Sequence, residues 1–520
     1  MNTLAPPTFE WLQLAPVLTV LLAACLGIVI EALVPRRWRF VSQIALFEVA
    51  VGVAFVFLVI SWRLPADSMG LMAMGSISLD GPTYLMWGAL LVFGLLSLLV
   101  FSERDLDNGA TAFAASAASV PGSPSEAEAN TARHEHSEVF PLALFSLSGM
   151  MVFCAANDLL TAFVALEVMS LPLYLLSGMA RKRRLLSQEA ALKYFLLGAL
   201  SSAFFLFGVA LVYGFSGSFQ LSAINDSISD PVYGRGLLYT GIVMLAIGLL
   251  FKIGAVPFHN WVPDVYVGAP TPVTAFMAIC TKLAAVGATV RVFYVAFGAE
   301  RWSWQPLLAT VAVITMALGV VVALTQTDMK RLLAYSSISH AGFILVAVVG
   351  ATTGGNGQVN SFGSILFYLI AYGFATIAAF AIVTMVRDSA GEVHAISGWA
   401  GLGRKNPLLA GIFALLMLSF AGIPLTGGFI GKWAVFSAAW RGGYSWLVLA
   451  AVAFSIVAAY VYVRVIVLMF FAEPTPGVAV GRASGMTWVP VGLGAIASAY
   501  LGLFPGPLLD LVTSASTFLR

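Results

Sequence analysis

The sequence predicts an all-α polytopic membrane protein with about fourteen transmembrane helices, and three features carry that prediction. Apolar residues make up 60% of the 520, and Asp, Glu, Lys and Arg together only 10%, against roughly 45–50% and about 25% in soluble domains. The apolar residues arrive in runs of about 20, long enough to carry a helix through a hydrocarbon core roughly 30 Å thick. The basic residues gather in alternate gaps between those runs, as loops sorted across a bilayer do.

The first run, near Trp11 to Val34, follows a polar, proline-containing start with no basic stretch, so it reads as a retained span rather than a cleaved signal. Spans 2 and 3 fall at 41–62 and 80–101. The segment 103–138, rich in Ala, Ser, Pro and Glu, is too polar for the membrane and reads as a disordered cytoplasmic loop. His134 and His136 lie in it, and two histidines in such a stretch read as solvated side chains rather than metal ligands. Spans 4 to 8 follow at 139–156, 159–179, 189–215, 236–256 and 271–297. Spans 9 to 14 follow at 306–326, 331–350, 362–386, 407–440, 444–472 and 486–515.

One set of loops collects Arg36, Arg37, Arg39, Arg104, Arg133, the run from Arg181 to Arg184, Lys330, Arg331, Arg387, Arg404, Lys405 and Arg482. The other holds only Arg63, Arg235, Arg301, Arg441 and Arg520. Excess Lys and Arg marks the cytoplasmic side, and an even span count then puts both termini outside. A net charge of +2 gives no reason to expect nucleic acid as a partner. Cys25, Cys154 and Cys280 stand singly in apolar runs without cluster-ligand spacing, and read as packing residues.

Six basic residues fall inside the spans: Lys193, Lys252, Lys282, Arg291, Lys432 and Arg464, together with Glu167. An ionisable group near the bilayer centre costs several kcal/mol, so each needs a partner, a water-filled cavity or a function. Arg291 and Arg464, near span ends, can snorkel to the interface, and Lys193 can do the same. Lys252, Lys282 and Lys432 lie among small and apolar neighbours, in LLFKIGAVP, AICTKLAAV and GGFIGKWAVF, away from the basic clusters. Burial disfavours the charged form of lysine, so a buried lysine can load and release a proton near neutral pH, and a carboxylate nearby pushes the other way. Glu167 and Lys193, on neighbouring spans, are the candidate pair for such a two-way setting. His340, among Ser336, Ser337 and Ser339, can relay a proton between Lys282 and Lys432. His259, in PFHNWVPD, reads as structural.

Lys252 precedes Pro257, and Lys432 follows Gly422, Pro424, Gly427 and Gly428, so spans 7 and 12 should be interrupted. Broken helices at membrane depth line cavities or lie buried in protein. Interruptions five spans apart predict two inverted five-helix repeats, spans 4–8 over residues 139–300 and spans 9–13 over residues 301–472. Residues 1–102 then form three leading helices and 473–520 a last one.

The stretches FKIGAVPFHNWVPDVYVGAPTPVTAF (251–276), LEVMSLPLYLLSG (166–178), DMKRLLAYSSISHAGF (328–343) and GIPLTGGFIGKW (422–433) resemble the antiporter-like membrane subunits of respiratory complex I, the NADH:quinone oxidoreductase. The resemblance covers about residues 140–475. It implies a hydrated central axis built of Glu167, Lys193, Lys252, Lys282 and Lys432. It also implies that NADH, FMN, iron–sulfur clusters and quinone are handled by partner subunits and none is bound by this chain. The chain itself would be a proton-translocating subunit in a bacterial plasma membrane, packed against other antiporter-like and small membrane subunits. Lysine rather than glutamate at 432, and a chain that stops soon after its last span, point to the large member nearest the quinone-side subunits. The polar segment 103–138 departs from the family pattern.

Two rival readings remain at this level. A subunit of a multisubunit Na⁺/H⁺ or K⁺/H⁺ antiporter would use the same lysines, although its nearest match carries Glu where Lys432 stands. An inert membrane scaffold would hold the charges as ion pairs, but four intramembrane lysines against Glu167 leave too few acids.

Overall fold

In the computed structural model, residues 10–64, 69–107, 109–116, 119–131, 135–229, 234–352 and 360–519 are described. Arg133, His134 and Arg520 fall outside them. Twelve helices among the described residues are long and apolar enough to cross a membrane, and two shorter apolar helices, Val139–Ala155 and Pro407–Ala421, occupy the positions of spans 4 and 12. Fourteen spans result, in the order expected.

Polar caps start several spans where the apolar runs begin. The side chains of Asp80, Asp158, Asp328 and Asn360 accept from the backbone N–H three residues ahead, satisfying donors that a helix start leaves unpaired. Span 2 begins earlier than expected, as Arg36–Trp62, because Pro35 is well placed to precede a first turn and nothing polar breaks the helix behind it. Span 14 is Gly485–Leu503, shorter than expected, with a separate helix Gly506–Ser514 after Pro505.

Both expected interruptions are present. Span 7 runs Arg235–Ile253, turns at Gly254, whose φ is +81°, and resumes as the half-helix Trp261–Gly268, in what the sequence reads as a loop. Span 12 runs Pro407–Ala421, turns at Gly422, and resumes as Gly427–Arg441. Five spans cross an odd number of times, so spans 9–13 start from the face opposite to that from which spans 4–8 start. Span 8, Thr271–Ala296, is continuous but widened by π-helical turns at Met277–Thr281 and Val292–Ala296.

The loops assemble on two faces. On one, Arg181 donates to the carbonyls of Thr111 and Phe113, Arg387 pairs with Asp107, and Lys330 donates to Ala269 O. A three-stranded sheet joins Val386–Asp388 to Gly391–Glu392 and Ala479–Val480 on the same face. On the other, the hairpin Gly70–Met72/Ile77–Leu79 meets Asn157, and Asn360 bonds Ser516. The first face holds the loops rich in Lys and Arg.

The segment 103–138 is not a disordered loop over its described residues. Phe113 is fully buried and packs on Phe101, Pro124–Thr131 is helical, and Glu126 pairs with Arg184. Its polar composition concealed a few anchoring contacts to remote loops. Glu103 accepts from the hydroxyls of Ser484 and Thr487, which ties span 3 to the start of span 14. Burial opposes its charge, but those hydrogen bonds prevail and hold the carboxyl below its ordinary range.

Candidate functional site

Between the two faces lies a line of buried polar side chains, supplied by both five-helix units. Lys252 stands in the last turn of the first half of span 7 and is buried. Its ammonium lies 3.5 Å from the Tyr174 hydroxyl and 5.4 Å from the ring centres of Tyr174 and Tyr194. Aromatic faces attract a cation, so the site is a cage of rings with one hydroxyl. Glu167, one helix away on span 5, acts electrostatically on both Lys252 and Tyr174. Its Oε1 is buried without a hydrogen-bond partner among the described residues.

Lys282, on the π-distorted span 8, donates to both the carbonyl and the hydroxyl of Ser337 at 2.5 Å. Its ammonium also lies 5.6 Å from the Tyr372 ring. A π-turn immediately before the lysine shifts the helix register there, a distortion often found at functional positions. One turn beyond Ser337, His340 sits 4.6 Å from the Tyr372 ring centre. Its Nδ1 is hydrogen-bonded to Tyr368, and its Nε2 lies 3.2 Å from the Tyr462 hydroxyl. Tyr462 in turn is 2.6 Å from Ser336.

Lys432 closes the line. Its ammonium donates to the carbonyls of Phe420 and Ala421, at 3.0 and 2.8 Å, and to the Ser455 hydroxyl at 2.9 Å. Those carbonyls end the first half of span 12 and would be unpaired without it. The interruption therefore makes a cation site, because a helix C-terminus carries partial negative charge and free acceptors.

Lys252, Lys282, His340 and Lys432 are all buried, His340 within electrostatic reach of both Lys282 and Lys432, and Glu167 within reach of Lys252. Lys193 is not. Its side chain is 44% exposed and pairs with Glu189 at 2.7 Å and Asp264 at 2.9 Å, rather than with Glu167. The cause is helical phase: Tyr194, one residue on, occupies the face of span 6 that meets Tyr174 and Trp261. Arg291 does not snorkel either. It is 1% exposed and forms a bidentate pair with Asp80 at 2.8 Å, also donating to Thr83 and to Cys154 O. Arg464 donates to the carbonyls of Leu324, the last residue of span 9, and Gln326 just beyond it. Cys154 and Cys280 are buried, whereas Cys25 lies on the exposed face of span 1.

The sequence alone does not single out the tyrosines. Tyr174, Tyr194, Tyr368, Tyr372 and Tyr462 are buried around the charged groups. The signal was available in part: Tyr368 and Tyr372 are one turn apart, so they share the face that meets His340. Asp264 does not stand out in the sequence, because the half-helix carrying it reads as a loop.

The family described as NADH:quinone oxidoreductase/Mrp antiporter, TM, matches residues 156–472, a stretch that contains both interrupted spans. A protein named NADH-quinone oxidoreductase subunit N from Nocardioides sp. is 53% identical, over 99% of this chain and 99% of that protein. Another so named, from Rhodococcus opacus, is 50% identical over 100% and 98%. A chain of respiratory complex I from Thermus thermophilus with bound aureothin superposes with a TM-score of 0.76 at 30% identity, over 96% of this chain and 100% of that one. A chain of the Mrp complex from Dietzia superposes with a TM-score of 0.78 over 97% of each chain, but at 23% identity this shows a common fold alone. The rival antiporter reading therefore has a shared architecture in its favour and no more. With full-length relatives at half identity, and a lysine rather than a glutamate seated on the broken end of span 12, the chain belongs to the NADH-quinone oxidoreductase subunit N family.

Proposed function

We propose that this chain carries protons across the membrane for an NADH:quinone oxidoreductase, using Glu167, Lys252, Lys282, His340 and Lys432 as the groups that hold them in turn. The observation that carries this reading is the environment of the three lysines. Each is buried, and among the described residues their direct hydrogen bonds go to hydroxyls and carbonyls rather than carboxylates. A lysine fixed in a static ion pair has no need to change charge, whereas one held by neutral acceptors can be either ammonium or amine. Glu167, poised on Lys252, supplies the charge that biases the first of them. Lys193 lies apart from this series, paired with Glu189 and with Asp264 on the second half of span 7. The tyrosine and serine hydroxyls between the charged groups can donate and accept in either direction, as a proton relay requires.

The energy comes from elsewhere. Moving one charge against about 100 mV costs about 2.3 kcal/mol, and redox chemistry on NADH, FMN, iron–sulfur clusters and quinone in partner subunits is the source we assign. The neighbours would be other antiporter-like and small membrane subunits. The face rich in Lys and Arg would lie in the cytoplasm of a bacterial cell, with both termini outside. The two five-helix units, 139–300 and 301–472, would each supply half of the path.

Lys252→Ala, studied in the assembled complex in sealed membrane vesicles, tests the reading. Proton translocation per NADH oxidised should fall sharply, and coupled turnover by about tenfold or more if a proton-transfer group has been lost. Lys193→Ala should fall less, since an exposed ion pair contributes at most about 1 kcal/mol. Unchanged translocation in a fully assembled Lys252→Ala complex would leave the chain a scaffold.

A further inference from the structure

On the face rich in basic loops, a cleft of about 250 Å³ opens between Asp107, Ala112 and the loops at 180–183, 267–271 and 387–395. Lys330 lines it. The sequence places Lys330 among the cytoplasmic loop residues, but it belongs to the first turn of span 10 and is only 1% exposed. Its ammonium donates to Ala269 O at 2.8 Å and to Thr271 Oγ1 at 3.2 Å. The Thr271 hydroxyl donates to Glu392 Oε2 at 2.5 Å, and His394 Nε2 lies 3.8 Å from the same oxygen.

These residues stand at the heads of two spans that carry the buried series. Thr271 begins span 8, which bears Lys282 three turns on. Lys330 begins span 10, where Ser337, the partner of Lys282, lies seven residues deeper, or about 10 Å along a helix. Building on the proposed proton path, we infer that Glu392, Thr271 and Lys330 form the group that takes protons from the aqueous cleft and feeds them toward Lys282.

The step balances without any further reactant. A proton from cleft water neutralises the Glu392 carboxylate. The acid then donates to Thr271 Oγ1, while the hydrogen already on that hydroxyl turns to the neutral amine of Lys330. Glu392 is left as carboxylate and Lys330 as ammonium. Charged and titratable groups around Glu392, among the described residues, are Lys330, His394, Arg181, Lys182, Arg183, Arg387, Asp107 and Asp388 in the cleft, with Glu103 and Asp328 close by. Burial, with the positive charges of Lys330 and Arg183, holds His394 down at about 3. It is therefore neutral at working pH, and the cationic neighbours of Glu392 in the cleft are Lys330, Arg181, Lys182, Arg183 and Arg387.

Glu392→Gln in the assembled complex, in sealed vesicles, tests the inference through the pH profile of coupled NADH:quinone turnover and the protons moved per NADH. Loss of the loading carboxylate should slow coupled turnover on the order of tenfold on the alkaline side, where protons are scarce, and shift that limb to lower pH. Glu392→Asp should restore the profile. If Glu392→Gln reduces assembly, Thr271→Val carries the test with the same expected shift, since it removes only the bridging hydroxyl. A normal pH profile and proton yield in Glu392→Gln or Thr271→Val, beside a Lys282→Ala complex that fails to pump, would overturn the loading site and leave the buried series standing. Normal pumping in Lys282→Ala as well would overturn both.

Discussion

The three buried lysines are held in three different ways: Lys252 by rings and a phenol, Lys282 by one serine, Lys432 by helix-end carbonyls. Each set can satisfy a charged ammonium, but none contains an anion that would fix it in that state. His394 illustrates the opposite case, a buried group kept neutral. Its Nδ1 has no hydrogen-bond partner, and burial with Lys330 and Arg183 nearby lowers its affinity for a proton to about 3, below the ordinary histidine range. The unfolded chain binds that proton from about pH 6.5 downward. Stability of the segment around 386–406 is therefore complete above that pH and is lost progressively as pH falls toward 3. Hydrogen exchange in this segment, corrected for its intrinsic pH dependence, should accelerate between pH 7 and pH 5, and His394→Gln should flatten that response.

At the scale of the helix, the interruptions are what make charged groups tolerable inside the membrane. A continuous span 12 would bury the carbonyls of Phe420 and Ala421 in its own hydrogen-bond ladder and leave Lys432 without acceptors. The break depends on close backbone approach and on left-handed turns. Gly422 has φ +79°, and a Cβ there would lie 2.8 Å from Lys432 Cδ, while one at Gly428 would lie 1.8 Å from Ser419 O. Gly422→Ala should therefore cost about 1–2 kcal/mol in backbone strain and also displace the ammonium. Coupled turnover of the assembled complex should drop with it, and a variant with unchanged turnover and thermal stability would argue against the role given to this turn.

Across the molecule, long-range polar ties hold the helices in register, because lipid supplies little drive to bring apolar helices together. The pair between Asp80 and Arg291 joins the start of span 3 to the end of span 8, with Thr83 and Cys154 O as further acceptors and Leu519 N–H donating to Asp80. Arg291→Met strands a buried carboxylate, so it should destabilise by about 3–5 kcal/mol, and removing both charges, as in Asp80→Leu with Arg291→Met, should recover much of that loss. Thermal stability of the purified complex, compared for the single and double variants, measures the difference. Equal loss in both would mean that packing rather than stranded charge decides. Exposed apolar residues such as Leu22, Val56, Leu200, Phe207 and Ile456 cover the outward sides of spans 1, 2, 6 and 13, suited to lipid or to neighbouring subunits.

What the sequence determined by itself was local or periodic. Span lengths follow from bilayer thickness, the breaks near Lys252 and Lys432 from Gly and Pro chemistry, and the choice of Lys252, Lys282, His340 and Lys432 as candidates from the cost of burying polar groups in apolar runs. What only the tertiary structure decided was which face of each helix meets which neighbour. A shift of one residue turned Tyr194 rather than Lys193 toward Tyr174, and Arg291 found Asp80 across 211 positions of chain. Lys330 and Glu392 look like loop charges until the loops that carry Thr271 and Glu392 fold over one cleft. Such pairings join segments that no periodicity connects, and they are settled by packing and by the need of every buried donor and acceptor for a partner.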